Sequence, residues 1–329
     1  MLYPPGPHWT GRTPRPHPAG DWAPGDAYGE AADALTAAGL EVHTWVVLAH
    51  NSRLGAEHPD TSVVNAYGDR YPWAPCIAQP ATRAYLVDLA AEAAVRPGAH
   101  GTELESLGWY GLAHLHAHDK TGGVGLGEAG QYLMSLCFCP DCRAGYGEQG
   151  VDARELAAAV RTALEPLWRG APDDGGWPAV AKLLGARLAA ATRAWRDETA
   201  RTLQEAAVAA VRAAAPEGFQ VLLHADPVSY HCGADAGVDP AHILSLADGV
   251  VVPCTDGPDL LAPFAGHRRP DTVLAAKLSV VTGMGGNPGA LAADAARVRV
   301  AGATELRLYH AGLASDGDLA AVRDALAGR

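Results

Sequence analysis

The chain has 329 residues, 48% of them hydrophobic, which is enough to bury one large core. A formal net charge of −12, without any block of Lys and Arg, argues against nucleic acids and anionic membranes as partners. No run of about 18 apolar residues is present, so a membrane-spanning helix is not expected. The first residues lack the basic and apolar regions of a signal peptide, and a cytoplasmic location is expected. The composition specifies no oligomeric state.

Residues 1–25 are rich in Pro, Gly, His and Trp and predict an irregular N-terminal segment. After Asp26, apolar runs of strand character alternate with helical segments that begin at capping residues. The predicted strands are 41–49, 102–107, 219–224, 249–254, 272–281 and 303–310. The predicted helices are 26–38, 81–95, 152–168, 177–214 with a break at Gly185, a short helix from Asp239, 258–265, 287–300 and a last one from Asp316.

Apolar strands that alternate with helices are typical of a parallel sheet. The sequence therefore predicts an α/β fold, a (β/α)8 TIM-type barrel formed by residues 1–329 as a single domain. Only six strands are clear, so the barrel is expected to be incomplete or irregular at its N-terminus. A doubly wound sheet is the alternative, and the absence of G-x-G-x-x-G after any strand weakens it.

Three of the six cysteines occur within six residues, as C-F-C-P-D-C. This spacing lets one turn present three thiolates to a tetrahedral metal ion, and a fourth ligand must come from elsewhere in the chain. Cys76 is the candidate for that ligand. The predicted metal ligands are Cys76, Cys137, Cys139 and Cys142. Because four thiolates leave no open coordination position, the expected metal is a structural zinc ion.

The stretch from Cys76 to Arg83 resembles the C-P-x-x-P-x-x-R motif of family 42 glycoside hydrolases, the zinc-binding β-galactosidases. The resemblance implies a structural zinc site and an acid/base glutamate, matched here by Glu105, at the end of a barrel strand before the cysteines. Residues 40–145 are also similar to bacterial glycosyl-hydrolase-like barrel proteins with the pattern E-L-E-x-L-G-[FW] followed by L-C-F-C-x-x-C. Two departures matter. Leu104 stands where the family has Asn, and Lys277 lies in the strand where the family has its nucleophilic glutamate.

Glu103 and Glu105 are two residues apart in a predicted strand, so both side chains point to one face. Two carboxylates on an inward face predict a polar pocket, because charged groups are rarely buried without partners. Glu105 is nearer the carboxyl end, where barrel active sites form, and is the predicted general acid/base. Asp226, after the next clear strand, is the predicted second carboxylate, acting as nucleophile or base.

Other strand ends and the following loops also carry polar or aromatic residues, which we expect to meet at one rim of the sheet. His114, His116 and His118 alternate in the loop after Glu105 and could bind substrate hydroxyls or a metal ion. The predicted substrate-binding residues are His50, Asn51, Glu103, Trp109, Tyr110, His116, His118, His224, Tyr309 and His310.

The residues favour a glycoside-hydrolase-like enzyme that acts on a carbohydrate or another small-molecule substrate. One alternative is a lyase or isomerase that uses Lys277 as base or Schiff-base residue. The other is a barrel that binds a sugar without catalysis. The three hypotheses predict different results. The hydrolase predicts turnover of aryl glycosides, the lyase or isomerase predicts borohydride trapping on Lys277, and the non-catalytic barrel predicts binding without turnover.

Overall fold

A computed structural model describes residues 1–113, 123–173 and 175–327. The strands are β1 (His43–Val47), β2 (Ser62–Val64), β3 (Arg70–Pro75), β4 (Gly101–Glu105), β5 (Gln220–Asp226), β6 (Ala236–Gly237), β7 (Gly249–Pro253), β8 (Val273–Ser279) and β9 (Glu305–Tyr309). The helices are α1 (Ala27–Ala37), α2 (Ser52–Glu57), α3 (Pro80–Ala94), α4 (Glu128–Met134), α5 (Pro140–Glu148), α6 (Ala153–Trp168), α7 (Gly176–Leu184), α8 (Ala186–Ala214), α9 (Pro240–Leu246), α10 (Ala262–Ala265), α11 (Leu291–Val300) and α12 (Asp316–Ala327). None of these helices is long and apolar enough to cross a bilayer.

The predicted helix boundaries follow local backbone chemistry. Asp26, Asp152 and Asp239 each accept a hydrogen bond from a backbone N–H in the first turn of α1, α6 and α9, which confirms them as capping residues. Gly185 divides the long predicted helix into α7 and α8. It has φ +85°, a left-handed conformation that glycine adopts without steric cost.

The six predicted strands all belong to one parallel sheet, in the order β1-β4-β5-β7-β8-β9, with the short β6 paired to β5. The sheet curls so strongly that Arg307 on the edge strand β9 hydrogen-bonds to Glu103 on β4, across the concave face. The described strands and their helices thus form an α/β half-barrel. Residues 1–25 contain two short 3-10 turns, Pro7–Trp9 and Gly20–Trp22, and otherwise run irregularly.

The two faces of the sheet differ in chemistry because successive side chains alternate between them. The convex face packs against the helices in the main hydrophobic core, with residues such as Val46, Leu104 and Leu223. The concave face carries a small apolar cluster formed by Leu222, Val251, Val273 and Ala275. Polar side chains lie next to this cluster, towards the carboxyl ends of the strands.

The antiparallel hairpin β2–β3 was not predicted, since the sequence indicates a polar loop up to residue 74. Its strands are too short and irregular for a clear alternation, and a bulge interrupts the pairing after Ser62. The hairpin lies against the cysteine segment, where the Phe138 N–H donates to the Val64 carbonyl oxygen at 2.7 Å.

Candidate active site

Glu105 ends β4 on the concave face and is buried, with 5% of its surface exposed. Its Oε2 atom accepts hydrogen bonds from Trp45 Nε1 at 3.1 Å and from the Tyr309 hydroxyl at 3.4 Å. Trp45 lies on β1 and Tyr309 on β9, at opposite edges of the sheet. The curl of the half-barrel therefore brings both edges to one carboxylate.

His224 on β5 connects Glu105 to two further carboxylates. Its Nε2 atom is hydrogen-bonded to Glu103 Oε2 at 3.1 Å. Its Nδ1 atom lies 3.7 Å from Glu105 Oε2 and also 3.7 Å from Asp235 Oδ1. The ring is almost fully buried, so these contacts are made out of water. The sequence places His224 and Glu103 in the predicted set, and the structure brings them into contact.

Lys277 on β8 completes the cluster. Its Nζ atom donates to Asp235 Oδ1 at 2.6 Å and lies 3.5 Å from His224 Nδ1. It also lies 4.8 Å from the centre of the Tyr309 ring. Asp235 is absent from the predicted set because it precedes the two-residue strand β6, which has no pattern of its own. The glycines on either side of Asp235, in G-A-D-A-G, could have drawn attention to this residue, since they indicate a tight turn.

The charges of this cluster stabilise one another. Burial raises the pKa of Glu103, but hydrogen bonds from His224 and Arg307 outweigh it and lower the pKa to about 2. Burial likewise raises the pKa of Asp235, and the contacts with His224 and Lys277 bring it below its ordinary value. Burial lowers the pKa of His224, yet Asp235 and Glu103 raise it overall. The cluster thus favours ionised Glu103 and Asp235 beside a protonated His224.

We expect Glu103→Gln to destabilise the fold by about 2 to 3 kcal/mol at pH 6, and by less at lower pH. A carboxylate whose pKa is lowered in the folded state stabilises the fold at pH values above its pKa in the unfolded state. This stabilisation is lost as the pH falls through the pKa of the folded state. The difference from wild type should therefore shrink between about pH 5 and pH 2. Denaturant unfolding at a series of pH values measures it.

Glu305→Gln is the matched control, since the exposed Glu305 binds the same Arg307 guanidinium at 2.7 Å. An exposed pair contributes about 0 to 1 kcal/mol, so this variant should remain close to wild type. A destabilisation of Glu103→Gln that stays constant between pH 6 and pH 3 would contradict the lowered pKa of Glu103.

The backbone turns sharply where the site residues end their strands. Ser106 and His310 have φ of 56° and 59°, and are the non-glycine residues with positive φ among those the structure describes. They directly follow Glu105 and Tyr309. Such conformations are uncommon for residues with a Cβ and occur often at functional sites. Burial lowers the pKa of His310, whose ring centre lies 5.8 Å from that of Trp45.

A cavity of about 520 Å³ adjoins the cluster. Its walls include Asp226, Asp235, Tyr110 and His231. Asp226 Oδ2 is 2.9 Å from His231 Nδ1, and its Oδ1 accepts from the Val228 N–H at 2.8 Å. Asp226 therefore lies in the same cavity as Asp235, but its described hydrogen bonds are to His231 and Val228 rather than to the Glu105 cluster.

Several predicted substrate-binding residues have other contacts. Trp109 is buried and donates from Nε1 to the Arg196 carbonyl oxygen at 2.9 Å, so its ring is packed inside the protein instead of being presented to a sugar. Asn51 caps α2 by accepting from the Leu54 N–H. His50 stacks on Tyr110 at 4.5 Å between ring centres, next to the cavity. The predicted His116 and His118, with His114, lie outside the described residues.

Trp45 on β1 and Arg307 on β9 are absent from the predicted set, although strand alternation could have indicated them. Trp45 is two residues after His43, and Arg307 is two residues before Tyr309, so each shares a face with its neighbour. The contact of Arg307 with Glu103 depends on the curl of the sheet, which no local pattern shows.

The four predicted metal ligands form one buried group whose sulfur atoms lie within 4.8 Å of one another, and they could hold a metal ion. Cys76 follows β3, while Cys139 directly precedes α5 and Cys142 lies in its first turn. Cys76 Sγ is 3.6 Å from both Cys139 Sγ and Cys142 Sγ, much farther than a disulfide bond of about 2.05 Å. The Val64 N–H donates to Cys137 Sγ at 3.5 Å, which orients that sulfur.

Among known protein families and curated proteins, none matches the sequence. Solved structures do resemble the fold. α-L-Fucosidase isoenzyme 2 from Paenibacillus thiaminolyticus has a TM-score of 0.54 at 13% identity, over 92% of this chain and 39% of its own. The PgaB (BpsB) glycoside hydrolase domain from Bordetella bronchiseptica has a TM-score of 0.53 at 17% identity, over 95% of this chain and 81% of its own.

A GH42 β-galactosidase from G. stearothermophilus has a TM-score of 0.51 at 15% identity, over 86% of this chain and 42% of its own. This chain thus spans about two fifths of the fucosidase and of the β-galactosidase. At these identities the likeness establishes a fold shared with glycoside hydrolases.

Proposed function

We propose that the protein is a glycoside-hydrolase-like enzyme that acts on a carbohydrate or glycoside, on a scaffold of TIM-barrel type. The observation that supports this most is the convergence of Glu105 and Asp235 on His224 Nδ1, each at 3.7 Å. The two carboxylate oxygens are therefore no farther apart than the sum of these distances. Carboxyl pairs of glycosidases are separated by about 5 to 9.5 Å, and the upper bound for this pair falls below the upper end of that range.

In this proposal Glu105 is the general acid/base, because it ends β4 at the carboxyl end of the sheet and its Oε2 atom is oriented by Trp45 Nε1 and the Tyr309 hydroxyl. Asp235 is the second carboxylate, kept ionised by Lys277 and His224. Asp226 binds sugar hydroxyls in the cavity with Tyr110, instead of acting as the nucleophile or base expected from the sequence. A panel of nitrophenyl glycosides tests the activity.

The two aspartates should differ in their effect on turnover. Asp235→Asn is expected to lower kcat at least about 10²-fold, because it removes the proposed second carboxylate. Asp226→Asn, the matched control in the same cavity, should mainly raise KM, since it changes a binding contact. Steady-state kinetics of the two variants, with thermal unfolding to verify folding, measures the difference. A larger loss of kcat in Asp226→Asn would assign the role to Asp226 instead.

We further propose that the metal of the four-cysteine cluster is structural zinc. Four sulfur ligands about 2.3 Å from a tetrahedral zinc ion lie about 3.8 Å apart. The 3.6 Å separations of Cys76 from Cys139 and Cys142 are close to this geometry. Within residues 1–113, 123–173 and 175–327, the four cysteines share no hydrogen bond with the Glu105 site, so the zinc would stabilise the hairpin and α5 rather than take part in the reaction.

A second candidate function is supported by the environment of Lys277. Its amine is buried, 2.6 Å from a carboxylate and 3.5 Å from an imidazole, an arrangement that could transfer protons during Schiff-base chemistry. A lyase or isomerase acting on a carbonyl substrate would use it. Borohydride reduction in the presence of such a substrate would then add mass to Lys277, whereas the hydrolase proposal predicts no adduct there.

A further inference from the structure

A second cavity, of about 580 Å³, lies along the edge of β1 that does not pair with β4. We call it the β1-edge cavity. The N-terminal segment, β1, α2 and α3 form its walls, and many of the wall residues are aromatic or aliphatic, among them Tyr3, Trp45, Leu54, Tyr85 and Leu89. Cavities of about 300 to 1,000 Å³ with walls of this kind are typical of small-molecule sites.

The charged residues of this wall favour an uncharged ligand. Glu57 Oε2 lies 2.8 Å from His17 Nε2, and Glu57 Oε1 accepts a hydrogen bond from Arg53 Nε at 2.8 Å. Arg15 is exposed, so water already solvates its guanidinium. An ionic ligand would lose its hydration in the cavity without gaining a buried, unpaired partner of opposite charge in the described wall.

Two hydroxyl groups of the wall lack a hydrogen-bond partner. Tyr3 is 5% exposed and Tyr28 is half-buried, and the hydroxyl oxygens of both are buried without a partner among the described residues. A buried tyrosine hydroxyl usually has a partner, because leaving it without one is unfavourable. A ligand with an apolar body and a hydrogen-bond acceptor would therefore complement this wall.

Trp45 connects the β1-edge cavity with Glu105. Trp45 is 51% exposed and lines the cavity, while its Nε1 atom donates to Glu105 Oε2 at 3.1 Å. Asp235, which approaches the same His224 Nδ1 atom as Glu105, lines the 520 Å³ cavity. The groups around Glu105 thus reach the walls of both cavities.

We propose that the β1-edge cavity binds the aglycone of a glycoside, an uncharged aromatic or aliphatic group with a hydrogen-bond acceptor, while the sugar occupies the 520 Å³ cavity. This assignment rests on the proposed function. In the hydrolysis, the Glu105 proton passes to the glycosidic oxygen and the bond from that oxygen to the sugar breaks. Water then supplies a hydroxyl group to the sugar and a proton to the carboxylate pair. The aglycone therefore leaves beside Glu105, where Trp45 lies.

Binding of 4-methylumbelliferone tests the site without any turnover. This aglycone is aromatic, is uncharged at pH 6 and has a lactone carbonyl as acceptor. Isothermal titration calorimetry should show saturable binding to the wild-type chain. Ala93→Trp places an indole ring in the cavity from α3 and should weaken binding at least about tenfold through steric conflict. Ala91→Trp, on the same helix but outside the cavity wall, is the matched control and should bind as wild type does.

Tyr3→Phe is a second variant, which the fold should tolerate because the hydroxyl group that it removes has no partner to lose. It should weaken binding of 4-methylumbelliferone about fivefold, the usual net effect of one hydrogen bond, without lowering Tm. Absence of binding to wild type overturns the site, as does wild-type affinity in a folded Ala93→Trp chain. Unchanged affinity in Tyr3→Phe overturns the hydrogen bond assigned to Tyr3.

A kinetic comparison separates the aglycone assignment from the proposed function. For one sugar, kcat/KM for the 4-methylumbelliferyl glycoside is divided by kcat/KM for the glycosyl fluoride, which has no aglycone. This ratio should fall about tenfold in Ala93→Trp and stay at the wild-type value in Ala91→Trp. An unchanged ratio in Ala93→Trp overturns the aglycone assignment. Absence of turnover in every sample would count against the hydrolase proposal and the aglycone role together, and would leave the binding result standing.

Discussion

Replacement of Glu105 by Gln is expected to lower kcat/KM for an aryl glycoside by about 10²- to 10⁴-fold, the usual contribution of a general acid/base. The amide has nearly the volume of the carboxylic acid, and its oxygen can still accept from Trp45 Nε1 and the Tyr309 hydroxyl. It cannot deliver a proton to a leaving group. Steady-state kinetics measures the loss, and thermal unfolding should show a fold close to wild type.

Glu103→Gln is the comparison on the same face of β4. Glu103 is held by His224 and Arg307, deeper in the half-barrel, so its replacement should affect stability more than turnover. If Glu105→Gln keeps full turnover while Lys277→Ala abolishes it, the glycoside-hydrolase proposal fails. Borohydride trapping on Lys277 would then support the lyase or isomerase.

Removal of the proposed zinc is expected to have the largest effect on stability. Purified protein should contain about one zinc per chain, and Cys139→Ser should destabilise it by about 4 kcal/mol or more, which corresponds to a fall in Tm of roughly 6 °C or more. The physical reason is that the ion would join the segment after β3 to the start of α5 through the four buried cysteines. Elemental analysis and thermal unfolding, with and without a chelator, measure both effects.

Cys254→Ser is the control for this experiment, since Cys254 is buried but lies outside the cluster. Its Tm should change less than that of Cys139→Ser, and its zinc content should stay at about one per chain. Metal-free protein in which Cys76, Cys137, Cys139 and Cys142 all titrate as free thiols under native conditions would contradict the zinc proposal.

Local sequence patterns determined where the strands lie and which residues share a face. The six apolar runs are the six main strands of the parallel sheet. A strand buried between helices is apolar along most of its length, so the local sequence is sufficient to predict it. Alternation likewise placed Glu103 and Glu105 on one face, where both contact His224. The close spacing of Cys137, Cys139 and Cys142 indicated the cluster for the same reason, since a single turn presents them together.

Only the tertiary structure decided which of these residues meet. Asp235 reaches Lys277 and His224 through a loop whose path depends on the pairing of β6 with β5. Arg307 reaches Glu103 because the sheet curls, and Trp109 turns into the core to donate to the Arg196 carbonyl oxygen. Periodicity records the direction of a side chain relative to its own strand. The curvature of the sheet and the packing of distant segments determine its partners, and these arise from contacts summed over the whole chain.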